Sequence, residues 1–155
     1  MEDPDVEFEA PRELAQRKRD TLARLEHDLD AWVASADREG NPYLVPLSFL
    51  WEGTALTLAT AESSPTARNL RASGRVRMSL GTTRDVVLID GTVETFTRDT
   101  VPVELADAFA ARLWDARVGA TRYAYLRVTP RRIQAWREEN EIAGRDLMRD
   151  GHWLV

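Results

Sequence analysis

The residue pattern with the most chemical meaning is a run of arginines that contains no acid. Five arginines and no Asp or Glu lie between Ser63 and Arg84, in a chain whose net charge is −5. They are Arg68, Arg71, Arg75, Arg77 and Arg84. Ser64, Pro65 and Thr66 have the residue types of a helix N-terminus, where free N–H groups and nearby guanidinium groups bind phosphate. The pattern therefore indicates a phosphate site, and the alternative is a solvated basic helix face balanced by acids elsewhere.

Other groups that could carry out chemistry are scarce. The chain has no cysteine, which excludes disulfides, thiol nucleophiles and cysteine-ligated metals. Its two histidines, His27 and His152, lie far apart in the sequence, so no metal site is expected. Ser48 and Ser79 have no evident base, and we assign no catalytic side chain. An enzyme of this composition would depend on a cofactor, and a phosphate-bearing flavin fits the arginine run.

The composition is that of a globular protein with an acidic balance. The chain has 155 residues, of which 43% are hydrophobic and 30% charged, enough for one domain. A net charge of −5 argues against a nucleic-acid partner. No apolar run is long enough for a membrane span, and the acidic N-terminus does not resemble a signal peptide. We therefore expect a cytoplasmic protein with no membrane partner.

The periodicity divides the chain into an arm, a β-rich body and a tail. Residues 1–11 are expected to be a flexible arm, residues 12–137 the folded domain and residues 138–155 a C-terminal tail. Strands are predicted over 30–36, 43–51, 54–60, 75–81, 86–96 and 124–136, and helices over 13–29, 65–73 and 101–113. The fold class is therefore mainly β, a small antiparallel barrel with flanking helices.

Two residues should interrupt the ladders of this barrel. Pro46 cannot donate a hydrogen bond, so its strand has a free edge there, a bulge, or something other than a strand beside it. Gly91 marks a bulge or a close approach of two backbones. The last long strand is expected to break at Pro130.

The order of these parts resembles the pyridoxamine 5′-phosphate oxidase-like superfamily of flavin-binding split barrels. The segment AESSPTARNLRASGRVRMSL (61–80) is the most similar, and its Arg-Asn-Leu-Arg unit resembles the actinobacterial branch that includes binders of coenzyme F-420. The closing strand PRRIQAWR (130–137) also resembles the last strand of the family. The resemblance covers roughly residues 20–137. It implies an antiparallel, Greek-key-like split barrel that binds FMN, or alternatively F-420, and transfers hydride to or from a small substrate.

The resemblance also implies positions for the cofactor at the interface of a homodimer. One strand would pass beside the flavin ring, the next would meet the ribityl chain and phosphate, and the following helix would hold the phosphate. The implied residues are Val45, Pro46, Leu47 and Ser48 beside the ring; Leu58, Ala59 and Thr60 near the ribityl chain; Ser64, Thr66 and Arg68 at the phosphate, with Asn69 fixing the helix; and Trp136 and Arg137 serving the partner's site. Pro65 and Thr66 stand where the family commonly has a basic residue.

Two other functions fit the same residues. The first is a non-catalytic flavin or haem carrier on the same fold, because a fold does not determine a function. The second is a module whose arginine run binds an acidic protein or a nucleic acid, with a steep dependence on salt. Turnover with a reduced nicotinamide or reduced F-420 would distinguish an enzyme from a carrier.

Overall fold

A computed structural model describes residues 7–155, and positions 1–6 of the expected arm lie outside the described residues. The helices are α1 (Leu14–His27), α2 (Pro65–Ser73) and α3 (Val103–Arg112), and a 3-10 turn spans Glu139–Glu141. The strands are β1 (Asp30–Ala36), β2 (Pro42–Trp51), β3 (Leu56–Ala61), β4 (Arg75–Leu80), β5 (Val86–Phe96), β6 (Tyr123–Trp136), β7 (Asp146–Arg149) and β8 (His152–Trp153). Within this part of the chain, no helix combines the length and the apolar content needed to cross a membrane.

Strands β1 to β6 close into an antiparallel barrel, which confirms the predicted fold class. The hydrogen-bonded order is β3-β2-β1-β4-β5-β6, and β3 also pairs with β6. Alternate side chains of each strand point inward. Val33, Leu58, Met78, Ile89 and Leu126 are fully buried in one cluster there, so the barrel interior is a packed core without room for a ligand.

Helices close the two ends of the barrel. Helix α1 leads into β1 at the end that we call the lower end, and its Leu25 is buried in the core. Helix α2 lies at the upper end, where β3 finishes and β4 begins. The Ser64 hydroxyl accepts a hydrogen bond from the Ala67 N–H at 3.1 Å, and Gly74 ends the helix in the left-handed region with φ of 67°. The predicted cap and stop of this helix are therefore confirmed.

A β-bulge joins β5 and β6 in the upper half of the barrel. The register shifts between Asp90, which pairs with Arg132, and Gly91, which pairs with Pro130. A Cβ atom on Gly91 would lie 2.8 Å from the Thr129 carbonyl oxygen, so glycine permits the close approach. The expected break at Pro130 is wrong, because the bulge accommodates the proline and β6 continues to Trp136.

Residues 138–155, set apart above as a tail, continue the sheet. Strand β7 pairs with the lower half of β6, and β8 pairs with β7. Leu147 and Met148 are buried in the barrel cluster. The Glu141 carboxylate accepts hydrogen bonds from the Arg12 side chain at 2.7 and 3.0 Å. The C-terminal segment is therefore fastened to the residues that precede α1.

Candidate functional site

The barrel is open along the upper half of β2. Strand β2 pairs with β1 from Pro42 to Ser48, but its pairing with β3 covers only Phe49 to Trp51. Beyond that point β3 continues to Ala61 alongside β6. A gap therefore separates the upper half of β2 from the end of β3, and Pro46 lies on this open edge. Of the three explanations considered for Pro46, the free edge is the one observed.

The direction of the backbone groups on this edge follows from one hydrogen bond. The Phe49 N–H donates to the Leu29 carbonyl on the β1 side at 2.9 Å. Because successive residues of a strand point their backbone groups to opposite sides, those of Leu44, Pro46 and Ser48 point into the gap. Pro46 thus removes a donor that no strand would use. The Phe49–Leu58 pairing uses the Ser48 carbonyl, so the N–H groups of Leu44 and Ser48 and the carbonyls of Leu44 and Pro46 remain available for a ligand.

The outer face beside this edge is apolar and exposed. Trp32 of β1 pairs with Pro46 of β2, and Leu44 lies next to them on the same face. Trp32 is 50% exposed and Leu44 59% exposed. At the lower end of this face the Ser48 hydroxyl lies 2.6 Å from an Asp30 carboxylate oxygen. Since the Ser48 hydroxyl donates its hydrogen bond to the carboxylate, the Ser48 oxygen presents lone pairs to its surroundings.

The connection from β3 to α2 lies at the upper end of the gap. Thr60 is half-buried at the end of β3, and the Ser64 hydroxyl is occupied by the Ala67 N–H. Thr66 is only 1% exposed, so its hydroxyl is shielded from a ligand. The Arg68 side chain is exposed and has no ion-pair or hydrogen-bond partner within residues 7–155. Of the three residues implied at the phosphate, Arg68 therefore has a free charged side chain, and the half-buried Ser64 hydroxyl keeps its O–H as a donor.

The remaining β3 positions turn their side chains away from the gap. Leu58 is fully buried inside the barrel. Ala59 points to the opposite side, where it packs in a second cluster with Phe109 of α3 and Tyr125 of β6. Val45 and Leu47 of β2 also point inward and are partly buried. The backbone groups of Val45 and Leu47 point to β1, and those of Leu58 point to β6. Ala59 alone among these four residues directs its backbone groups toward β2.

Asn69, Trp136 and Arg137 lie outside the gap. Asn69 donates to the Ser35 hydroxyl of β1 at 3.2 Å and so holds α2 on the barrel end. Trp136 and Arg137 are at the lower end of β6, whose upper end, Tyr123, pairs with Ala61 beside the gap. Roughly 40 Å of strand separates the two ends of β6. One chain therefore does not bring Trp136 and Arg137 to its own β2 edge.

The arginines of the run fall into two groups, those that form ion pairs with acids and those that do not. Arg77 of β4 forms an ion pair with Asp90 of β5, and Arg84 reaches Glu138 at 3.1 Å. The side chains of Arg68, Arg71 and Arg75 are exposed and have no such partner among the described residues. Balancing acids thus explain part of the run. A cationic patch remains at the upper end of the barrel.

Two of the five buried side-chain atoms without a hydrogen-bond partner in the described part of the chain belong to charged groups, and neither has a signal in the sequence. The Glu62 Oε1 atom, just after β3, is buried without a hydrogen-bond partner, although the other oxygen lies 3.6 Å from Arg122. The Arg145 Nε–H is also buried without a partner, and its guanidinium group lies over the Trp136 ring at 5.3 Å. Within residues 7–155, no cluster of three or more His, Cys, Asp or Glu side chains is arranged for a metal ion.

Comparison with known families gives one match over most of the chain. The family model described as "Pyridoxamine 5'-phosphate oxidase" matches residues 20–137. A comparison with curated protein sequences finds no significant match.

Solved structures share the same architecture at low sequence identity. HutZ, a heme storage protein of Vibrio cholerae, has a TM-score of 0.65 at 13% identity, over 87% of this chain and 98% of its own. An F420 reductase has a TM-score of 0.56 at 23% identity, over 72% of this chain and 93% of its own. General stress protein 26 of Bacillus anthracis has a TM-score of 0.59 at 16% identity, over 79% and 95% respectively. At these identities the similarity establishes the fold alone.

Proposed function

Because the chain belongs to the pyridoxamine 5′-phosphate oxidase family, we propose that it is an oxidoreductase that binds FMN, or F-420 in its place, at the open edge of β2. When bound, such a cofactor supplies hydride transfer to or from a small substrate. The protein supplies the binding, the orientation and the exclusion of water. A reaction that depends on the cofactor for its chemistry agrees with the scarcity of nucleophiles, bases and metal ligands in the sequence.

The observation that carries the proposal is the unpaired backbone of β2 beside an exposed apolar face. A flavin ring has a polar edge with donors and acceptors and an otherwise flat, largely apolar surface. The backbone groups of Leu44, Pro46 and Ser48 match the polar edge, and the Trp32 and Pro46 side chains lie next to them on the outer face. Unsatisfied backbone groups are costly when covered by an apolar surface, so a ligand with matching polar atoms is favoured.

Arg68 is the residue that we assign to the phosphate. Its guanidinium group is exposed and unpartnered within residues 7–155, and it is on the first turns of α2, whose N–H groups attract anions. Pro65 lacks an N–H, and the Ser64 hydroxyl occupies that of Ala67. The Thr66 N–H remains as the backbone donor of this turn. The phosphate would thus be held by one guanidinium group, one amide and the O–H of Ser64.

We further propose that the protein acts as a homodimer formed through the apolar face of β1 and β2. Exposed contiguous apolar surface on a globular chain marks an interaction site, and Trp32 and Leu44 are each at least half exposed. A second copy would cover this face. It would also provide a place for Trp136 and Arg137, which cannot reach the β2 edge of their own chain.

A spectrum and a titration test the proposal. The purified protein should show a flavin or deazaflavin absorbance band, or bind FMN or F-420 saturably when titrated. Arg68→Ala should weaken that binding at least tenfold without unfolding the protein, because a lost charge-assisted bond costs about 1.5–3 kcal/mol. Arg19→Ala is the matched control, since Arg19 is exposed on α1 at the other end of the barrel. Absence of binding by the wild-type protein, or equal affinity in folded Arg68→Ala, would contradict the respective part of the proposal.

A further inference from the structure

A second concave surface lies on the outside of the barrel, away from the β2 gap. It is a groove of about 570 Å³ above β1, β4, β5 and β6. Its charged side chains are Arg75, Arg77, Asp90 and Arg131, and residues 34–36 of β1 form another wall. We call it the arginine groove. The β2 gap faces β3, whereas the arginine groove lies on the other side of β1, toward β4 and β5.

The charges of the arginine groove do not balance. Arg77 and Asp90 neutralise each other through a two-bond ion pair, with 3.2 Å between Nη2 and Oδ2. The side chains of Arg75 and Arg131 have no carboxylate or carbonyl partner within residues 7–155. By contrast, the neighbouring Arg132 of β6 reaches Asp146 at 3.1 Å. Two uncompensated guanidinium groups therefore share one groove in a chain whose net charge is −5.

The position of Arg131 is built by two features of the backbone. Arg131 is the additional residue of the β6 bulge, because Asp90 pairs with Arg132 and Gly91 with Pro130. The Arg131 guanidinium group then lies over Gly151 in the turn between β7 and β8, where a Cβ atom would be 2.9 Å from Nη1. The Gly151 N–H donates to the Arg131 carbonyl at 2.8 Å and fixes the turn against β6. Bulges commonly re-aim a side chain toward a binding site.

We propose that the arginine groove binds a small molecule through an oxyanion group, a phosphate or a carboxylate, at a site separate from the β2 gap. A guanidinium group presents a planar pair of donors that matches either group, and Arg75 and Arg131 both line the groove without an acidic partner among the described residues. The groove is an open concavity of about 570 Å³, which is large enough for a compact anion. The acidic balance of the whole chain opposes a polyanion such as nucleic acid and favours a compact ligand.

Calorimetric titration of the full-length protein with inorganic pyrophosphate and, separately, with citrate tests the proposal at low salt. We expect saturable binding of at least one of them, with one site per chain, and the preferred probe identifies phosphate or carboxylate as the group recognised. Arg131→Gln and Arg75→Gln should each weaken binding at least tenfold. Arg38→Gln is the matched control, because Arg38 is exposed in the turn between β1 and β2 and does not line the groove. That variant should change affinity less than twofold.

Three results would overturn the proposal. The first is that neither probe binds saturably. If Arg131→Gln also changes the dissociation of the proposed dimer, the groove is a subunit contact. The second is that Arg38→Gln weakens binding of the probe as much as Arg131→Gln does. The probe would then respond to the overall positive charge of the surface and not to this groove. The third is binding abolished by Arg68→Ala but retained by Arg131→Gln, which would place the anion at the β2 gap. Titration of Arg131→Gln with FMN separates this outcome from a failure of the proposed function, since flavin binding should be unchanged.

Discussion

Replacing Glu141 by glutamine tests the ion-pair network that fastens the C-terminal segment to the start of α1. Glu141 is 2% exposed, and its carboxylate accepts four hydrogen bonds. The donors are the Arg12 N–H, Nε and Nη2 and the Arg137 N–H, at 2.7 to 3.0 Å. A glutamine places its amide N–H₂ against these donors. The variant therefore removes one of the two carboxylates that pair with the Arg12 guanidinium group, and only Asp20 at 2.9 Å remains as its partner among the described residues.

The size of the effect can be estimated in two ways. Burial alone would raise the pKa of Glu141, but the bonds from Arg12 and Arg137 lower it from 4.5 to about 2. A depression of this size corresponds to about 3 kcal/mol of folding free energy. Removing one partner of a buried ion pair costs about 3–5 kcal/mol. Both estimates predict a loss of about 3 kcal/mol at pH 7.

The pH dependence has a definite sign. Because the pKa is depressed in the folded state, the contribution is complete above pH 4.5 and is lost as the pH falls toward 2. Urea unfolding at pH 7 should show Glu141→Gln less stable by about 3 kcal/mol, with a thermal midpoint lower by roughly 10 °C. The difference between the two proteins should narrow between pH 4.5 and 2.

The control for this experiment is Glu139→Gln, which makes the same charge change at an exposed position two residues away. It should alter the free energy of unfolding by no more than about 0.5 kcal/mol. A Glu141→Gln protein that is as stable as Glu139→Gln would refute the reasoning. So would a difference that stays constant across the acidic range.

Two further substitutions test the bulge and the β2 edge. Gly91→Ala brings a methyl group 2.8 Å from the Thr129 carbonyl oxygen and should cost about 1–3 kcal/mol in urea unfolding, and wild-type stability would mean that the bulge relaxes freely. Ser48→Trp should abolish flavin binding in a titration of the folded variant, because the larger side chain fills the outer face beside the edge. Unchanged flavin affinity in Ser48→Trp would show that the ring binds elsewhere.

The sequence predicted most elements because their signals are local. Ser64, Pro65 and Gly74 define α2 through capping chemistry that acts within a few residues. The predicted strand over 86–96 matches Val86–Phe96, since inward and outward side chains alternate along it. The resemblance to a flavin-binding split barrel supplied the topology, which such local signals do not specify. Family membership and the closed barrel confirm that part of the prediction.

The pairing of charges could not be predicted, because it depends on residues that are distant in sequence. Arg12 meets Glu141 across 129 positions, and Arg84 meets Glu138 across 54. The sequence therefore shows five arginines as one run, although the fold pairs Arg77 and Arg84 with acids and leaves the other three without such a partner among the described residues. The burial of Thr66, one of the residues implied at the phosphate, could not be predicted from the sequence either. Thr66 is a good donor by type, but its side chain packs under α2 and is shielded.

Pro46 links the local and the distant levels of this fold. Its missing N–H and the Phe49 N–H bond to Leu29 together determine which β2 backbone groups point into the gap. If the backbone nitrogen of this proline faced β1, the proline would remove a hydrogen bond between β1 and β2 and weaken the barrel. On the open edge it removes only a donor that could recruit another strand, and edge prolines prevent such pairing. Pro46 therefore keeps the edge free of strands while leaving its carbonyl, and the N–H groups of Leu44 and Ser48, to a ligand.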